Sequence, residues 1–324
     1  MSGNFLLGVI IEPSANINYR LNSMAIEKFE LHLDVTQDNI TAIDLIADNS
    51  SFSRQKIKQI MKNGSVWLTL HAPKIEQTSD KKNSSTQRIR RAKKQLLNGQ
   101  LLHCYYNEEI FNQQPLQPTL IADEQDYSVW FKPAGMLSQG SKYGDHCALY
   151  RWVETNLKPQ RNAFIVHRLD KATSGLIIIA HSKTAAAALS KLFAEGGIDK
   201  YYKAIVHGEL SSAPLILDEV LDNKIARTKI LHSQRLDQNL HQKPNHKINT
   251  TTSLLDIKLL TGRKHQIRQH LANIGHPIIG DRLYGSGEAD GYDLCLTAYK
   301  MIFLSPFDTK NKHYELDSSY YPSL

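Results

Sequence analysis

Cysteine is scarce in this chain of 324 residues: Cys104, Cys147 and Cys295 stand far apart, with no C-x-x-C pair. That spacing disfavours a disulfide framework and a thiolate zinc site. Long apolar runs are also missing, and no stretch approaches the roughly 20 residues needed to cross a bilayer. The first eleven residues carry an apolar patch but no basic lead-in, and Glu12 interrupts it, so a secretory signal is not expected and the cytoplasm is the expected location. Acidic residues are outnumbered, 32 against 39 Lys and Arg, for a net charge of +7. Nucleotide and metal motifs are absent too. There is no G-x-x-x-x-G-K-[ST] and no H-E-x-x-H, and the glycines near Gly285 do not open a helix after a strand. No cofactor is therefore expected, and any reaction has to run on side chains. What is present is an ordinary globular composition, 41% hydrophobic and 22% charged, in a chain long enough for one large unit and a smaller one.

The basic excess is concentrated. Residues 81–94 hold seven positive charges (Lys81, Lys82, Arg88, Arg90, Arg91, Lys93, Lys94), and no Asp or Glu lies between Lys81 and His103. Such a block is an exposed tail-like segment or a contact for a polyanion. Upstream, residues 41–47 read as a helix. Ser53 is a good N-cap for a second one, Ile57, Ile60 and Met61 share a face, and Gly64 can end it. Arg54, Lys56, Lys58 and Lys62 are left for its outer faces. Val66, Leu68 and Leu70 alternate as a strand. The polar, proline-punctuated residues 111–118 read as a linker. The expected organisation is an extension over 1–27, a small unit over 28–110, the linker, and a large unit over 119–324.

In the large unit, Phe164-Ile165-Val166 and the run from Leu176 to Ala180 read as buried strands. Residues 182–194 read as a capped helix, Tyr202, Ala204 and Val206 as a strand, residues 252–260 as another, and residues 265–273 as a helix. No regular β-α-β period appears, so the expected class is α+β, a mixed, largely antiparallel sheet flanked by helices.

Two segments could carry chemistry. His167-Arg168-Leu169-Asp170-Lys171-Ala172-Thr173-Ser174-Gly175 is a charged loop between two rigid strands, and Asp170 is either a nucleophile or proton acceptor, or one half of a structural salt bridge in a polar turn. Thr261-Gly262-Arg263-Lys264-His265-Gln266-Ile267-Arg268 turns from strand to helix. Its cationic side chains and free N–H groups form an anion site suited to a phosphodiester, or else a basic surface helix. His265 and His270 are five apart with no Glu between, which disfavours a metal pair.

These two segments resemble the signature motifs of the RluA-type pseudouridine synthases. Lys132-Pro133-Ala134-Gly135, Lys200-Tyr201-Tyr202-Lys203-Ala204 and Gly275-His276-Pro277-Ile278-Ile279-Gly280-Asp281 with Tyr284-Gly285 resemble three further family motifs in the same order. The small unit resembles the α-L RNA-binding module. The resemblance implies a pseudouridine synthase fold and a cofactor-free isomerisation of uridine in RNA. It implies catalytic roles for Asp170, Tyr202, whose ring would stack on the base, and Arg268, with Arg263 as second choice to pair with the aspartate. Arg168 would fill the gap left by an extruded uridine. RNA contacts are implied for His167, Thr173, Arg263, Lys264, His265, Gln266 and Lys132, with Arg54, Lys58, Arg90 and Arg91 holding phosphates. Asn223 stands where relatives have glycine, and Thr297 where many have histidine. The expected partner is RNA, ribosomal RNA of the large subunit ahead of transfer RNA, with no membrane and no nucleotide cofactor, and the protein is expected to be a monomer. The rival readings are an RNA-binding or assembly protein without turnover, and a glycosidase-like enzyme. The second lacks a partner carboxylate in either main motif.

Overall fold

A computed structural model describes residues 28–70, 85–236, 251–285 and 291–324. The expected 1–27 extension and the first two lysines of the basic block, Lys81 and Lys82, lie outside the described residues. The chain divides into two compact units, one reaching Pro115 and including Gly140–Cys147, the other formed by Leu116–Gln139 and Ala148–Leu324.

The first unit is an antiparallel sheet of β1 (Lys28–Asp34), β2 (Val66–Leu70), β3 (Ser85–Arg88) and β4 (Leu101–Asn107), ordered β1-β4-β2-β3. Helices α1 (Ala42–Asp48) and α2 (Arg54–Lys62) bury Ile43, Ile46, Ile57, Ile60 and Met61 with Val66, Leu68, Leu102 and Cys104. Thr41 and Ser53 cap these helices by accepting the N–H groups of Asp44 and Lys56, which satisfies donors that a helix start leaves open. Gly64 ends α2 at φ +80, where a Cβ would meet Asp145 Oδ1 at 2.4 Å. The short helix α3 (Glu108–Asn112), capped by Asn107, takes in the first two residues of the 111–118 segment expected to be linker.

The second unit holds a ten-stranded sheet. Its strands are β5 (Thr119–Asp123), β6 (Tyr127–Lys132), β7 (Phe164–Ile165), β8 (Ser174–Ala180), β9 (Ile198–His207), β10 (Leu215–Leu221), β11 (Lys224–Leu236), β12 (Thr252–Leu259), β13 (Leu296–Leu304) and β14 (Asn311–Glu315). The main order is β10-β11-β12-β9-β13-β8-β6-β5, with β14 on β13 and β7 on β8. Every pairing is antiparallel except β13 with β8. Among the described residues three α-helices flank it: α4 (Leu149–Asn156), α5 (Lys183–Ala194) and α6 (Gln266–Asn273).

Strand β8 is apolar along its length because both faces are covered. Ile177 and Ile179 join a core with Leu149 and Val153 of α4 and Ile267 and Leu271 of α6. Leu176 and Ile178 point the other way, toward Ala185 and Leu189 of α5. The run from Phe164 is shorter than the buried strand expected from its composition: only Phe164 and Ile165 pair, and both stay half-buried. One edge of β8 is taken by β6 throughout, so β13 and β7 must share the other. β13 takes Ser174 and Gly175, and β7 takes Ile179 and Ala180.

Gly175 sits where β13 comes closest. Its φ is +123, and a Cβ there would lie 2.3 Å from the Ala298 carbonyl oxygen. Only glycine fits.

Candidate active site

The loop from β7 to β8 carries Asp170 and is fastened at several points. Thr173 donates its backbone N–H to the Asp170 carbonyl at 3.1 Å, and Gly135 donates to the Lys171 carbonyl at 2.8 Å. Ser138 Oγ donates to the Leu169 carbonyl at 2.8 Å and accepts its N–H at 3.1 Å. Lys132 is fully buried and donates to the carbonyls of Met136 at 2.9 Å, Pro133 at 3.0 Å and Lys171 at 3.4 Å. Burial pushes its ammonium down to about 7, against the pull of Asp170. Lys132 therefore ties the K-P-A-G turn to the aspartate loop and is not available to a phosphate, a correction to the RNA contact expected of it.

His167 is corrected in the same way. Its Nε2 accepts the Ile178 N–H at 2.9 Å, filling the stretch of the β8 edge between β13 and β7, and its ring stacks on Phe193 at 4.2 Å. Burial, then the nearby Lys200, lowers its pKa to about 3, so it stays neutral and shapes the loop. Thr173 is 3% exposed, and its part is to close the turn.

The second segment begins where β12 ends. Gln266 is buried at the start of α6, where its Oε1 accepts from Thr261 Oγ1 at 2.7 Å and the Arg263 N–H at 3.0 Å. Its Nε2 donates to the Arg227 carbonyl and to Thr228 Oγ1, both at 2.9 Å. All its polar atoms are committed, so Gln266 braces this turn against β11 and does not reach RNA. His265 stands at the helix N-cap in the left-handed region, φ 54, a conformation that non-glycine residues adopt where surrounding structure enforces it. Its Nδ1 lies 3.0 Å from the Tyr284 hydroxyl and its Nε2 3.7 Å from Asp170 Oδ2. Burial lowers its pKa, which Asp170 opposes.

Arg268 is buried, and its guanidinium is gripped by Asp281, Nε to Oδ2 at 2.7 Å and Nη2 to Oδ1 at 2.6 Å. Asp281 Oδ1 also accepts the N–H groups of Leu283 at 2.9 Å and Tyr284 at 3.1 Å. Burial opposes both charges, but the pair outweighs it: the arginine pKa rises and the carboxyl pKa falls. With two nitrogens held, Nη1 is left facing Asp170 Oδ2 at 4.0 Å. The fork geometry of guanidinium and carboxylate makes this an orienting device.

Of these residues His167, Asp170, Thr173, His265, Gln266 and Arg268 line one cleft of about 680 Å³. Asp170 lies in it with its side chain 34% exposed, accessible yet flanked by Arg268 and His265. Tyr202 of β9 lines it as well and is 7% exposed. Burial, then the charge of Asp170, pushes its phenol up, so the hydroxyl stays protonated at neutral pH. Arg168 lines the cleft as an exposed residue, and no hydrogen bond or ion pair to a described residue restrains it. Arg263 and Lys264 line the opposite segment, Arg263 donating through Nε to the Ile225 carbonyl at 3.0 Å.

In the first unit, Lys58 and Arg91 are exposed, while Arg54 is exposed and paired with Asp44. Arg90 is less free than its place in the basic block implies: it pairs with the buried Asp145 at 2.6 Å and donates to the Lys62 carbonyl at 2.9 Å. Arg88 pairs with the same carboxylate.

Asp281 and Lys200 are the residues whose part sequence reasoning missed. The signals were present: Asp281 closes the Gly-His-Pro-Ile-Ile-Gly-Asp segment, and Lys200 stands two positions before Tyr202 on one strand, which places both side chains on one face. Among the described residues no group of three or more His, Cys, Asp or Glu converges as a metal site, and no helix is long and apolar enough to cross a membrane.

Residues 126–273 match the family model described as RNA pseudouridylate synthase. A Mycoplasma pneumoniae protein named as an uncharacterized RNA pseudouridine synthase is 32% identical, over 69% of this chain and 77% of its own. The tRNA pseudouridine synthase C of Vibrio parahaemolyticus is 30% identical over 60% of this chain and 87% of its own. The dual-specificity RNA pseudouridine synthase RluA of Escherichia coli is 33% identical over 54% and 81%. Human RNA pseudouridylate synthase domain containing 1 shares the fold, with a TM-score of 0.53 at 21% identity, covering 65% of this chain and 88% of that one.

Proposed function

The chain belongs to the RluA-type RNA pseudouridine synthases, an isomerase family, and from that premise we propose that it converts uridine to pseudouridine in structured RNA at the Asp170 cleft. The observation that carries the reading is one carboxylate on a pinned loop, faced by an oriented guanidinium and walled by a tyrosine ring. Asp170 begins the reaction at the nucleoside, and the C1′–N1 bond breaks. The freed uracil turns, C5 bonds to C1′, the C5 proton leaves and N1 gains a proton, so mass is unchanged and no electron carrier is used. Arg268 holds the carboxylate in line, and the buried Tyr202 ring stacks on the base.

A paired uridine hides the reacting atoms, and extruding it costs a few kcal/mol. The unrestrained Arg168 is suited to fill the vacated place, because a planar guanidinium stacks and donates at once. Arg263, Lys264 and the exposed cations of the first unit hold phosphates, which positions RNA without reading its sequence. That unit, proposed here as an RNA-binding module, favours large-subunit ribosomal RNA as substrate. The name of the Vibrio relative makes transfer RNA the second reading. The reaction is proposed for the cytoplasm, by a monomer without cofactor.

The test is tritium release from ribosomal and transfer RNA pools labelled at uridine C5. Release by the wild type, none by Asp170→Asn, and a ribosomal preference are expected. Binding without release in either pool would replace the enzyme with an RNA-binding protein.

A further inference from the structure

Lys200 is a half-buried cation in the cleft for which the described residues provide no counter-charge. Its ammonium has no hydrogen bond or ion pair among them, only the Phe193 ring with its centroid at 6.0 Å. Burial lowers its pKa, the direction that marks an uncompensated charge. The other cations of β9, β12, α6 and the turn between them are paired, hydrogen-bonded or solvated, Arg263 giving its Nε to the Ile225 carbonyl at 3.0 Å. Lys203 meets Asp256 at 3.5 Å, Lys258 meets Asp199 at 2.8 Å, Arg268 meets Asp281, and Lys264 is exposed. Keeping an ammonium partly out of water without a partner is costly, so the position is explained by an anion that arrives with the substrate.

Geometry says which anion. Lys200 and Tyr202 project from the same face of β9, and two residues along a strand span about 6.8 Å. That distance is comparable to the separation of a nucleobase from its own phosphate. Beside Lys200, Gly262 has no side chain, and a Cβ there would lie in ordinary contact with Nζ at 3.8 Å, so residue 262 sets no side chain against the ammonium.

Resting on the proposed function, we propose that Lys200 is the seat for the backbone phosphate of the extruded nucleotide, a positioning residue engaged only once the base lies against Tyr202. Its contribution then falls on the extruded state, and so on turnover at saturation more than on RNA capture. This differs from the exposed Lys264, which can meet phosphate before extrusion.

The test compares Lys200→Met, Lys200→Arg and Lys264→Met. Tritium release from the RNA pool active with the wild type gives kcat and KM. Binding of decauridylate to the same variants in an Asp170→Asn background gives the salt dependence of affinity. Lys200→Met is expected to lower kcat about tenfold or more, the effect of one charge-assisted contact, with a smaller change in KM. It should flatten the plot of log affinity against log salt by about 0.7, the increment for one phosphate on a single strand. Lys200→Arg should restore the slope, which a merely structural role does not require, and Lys264→Met should act mainly on KM. An unchanged slope in Lys200→Met, or a loss confined to KM, overturns the assignment while leaving the Asp170 reading intact. An inactive wild type overturns the Asp170 reading instead.

Discussion

Asp281→Asn removes one charge from a pair that the fold has sealed. The Asp281 side chain is 0% exposed and that of Arg268 6%, and both contacts are short and parallel, 2.6 and 2.7 Å. Asparagine keeps the shape and one acceptor oxygen, so the N–H groups of Leu283 and Tyr284 can still be satisfied. Its amide nitrogen, however, must face a guanidinium N–H, donor against donor, and the arginine loses its counter-charge. Removing one partner of a buried pair costs about 3–5 kcal/mol. For a unit of roughly 200 residues, that lowers the melting temperature on the order of 10 °C. Released from Asp281, the guanidinium is free to collapse onto Asp170 from its 4.0 Å position, so turnover falls further than stability at the assay temperature explains. Urea melts of wild type, Asp281→Asn, Arg268→Met and the double variant separate the terms, since a coupled pair gives a non-additive cycle. The double variant should be more stable than Asp281→Asn alone, because it no longer buries an unpaired charge. Additive effects, or an Asp281→Asn protein that melts and turns over like wild type, would refute the orienting role.

Gly175→Ala should lose several kcal/mol or fail to give soluble protein, because its Cβ would enter the Ala298 backbone at 2.3 Å and φ +123 is strained for alanine; a normal melt would contradict the close approach. Arg168→Ala, at an exposed position, should leave stability within about 0.5 kcal/mol while reducing tritium release, so a stability loss equal to the activity loss would remove its proposed part in extrusion. The lowered pKa of His167 gives a signed pH effect. The unfolded chain binds the proton below about 6.5 and the folded chain only near 3, so this group's stabilisation is present above 6.5 and is lost as pH falls through that window, at up to about 1.4 kcal/mol per unit. His167→Asn, which keeps an acceptor for the Ile178 N–H, should flatten the stability profile between pH 6.5 and 4 relative to wild type. Equal slopes would mean the imidazole is solvated.

Local rules made much of this protein legible. Ser53 capped its helix and Gly64 ended it because those signals depend on neighbours a few residues away. The mixed, mostly antiparallel sheet followed from the order of strands and helices, and the two segments with Asp170 and Arg268 followed from their density of charge. The part each side chain plays within those segments was not local. Lys132, His167, Gln266 and Arg90 are polar residues in the sequence just as Arg168 and Lys264 are. Only the folded chain turned the first four inward, onto the Met136 and Lys171 carbonyls, a β8 N–H, β11 and Asp145, and left the last two exposed. The short β7 was likewise set by β13 taking half of an edge, a contact between residues more than a hundred positions apart. Composition and spacing determine which groups a segment carries. Which of them remain free for a substrate is decided by hydrogen bonds and ion pairs made across the chain, and sequence separation does not encode those.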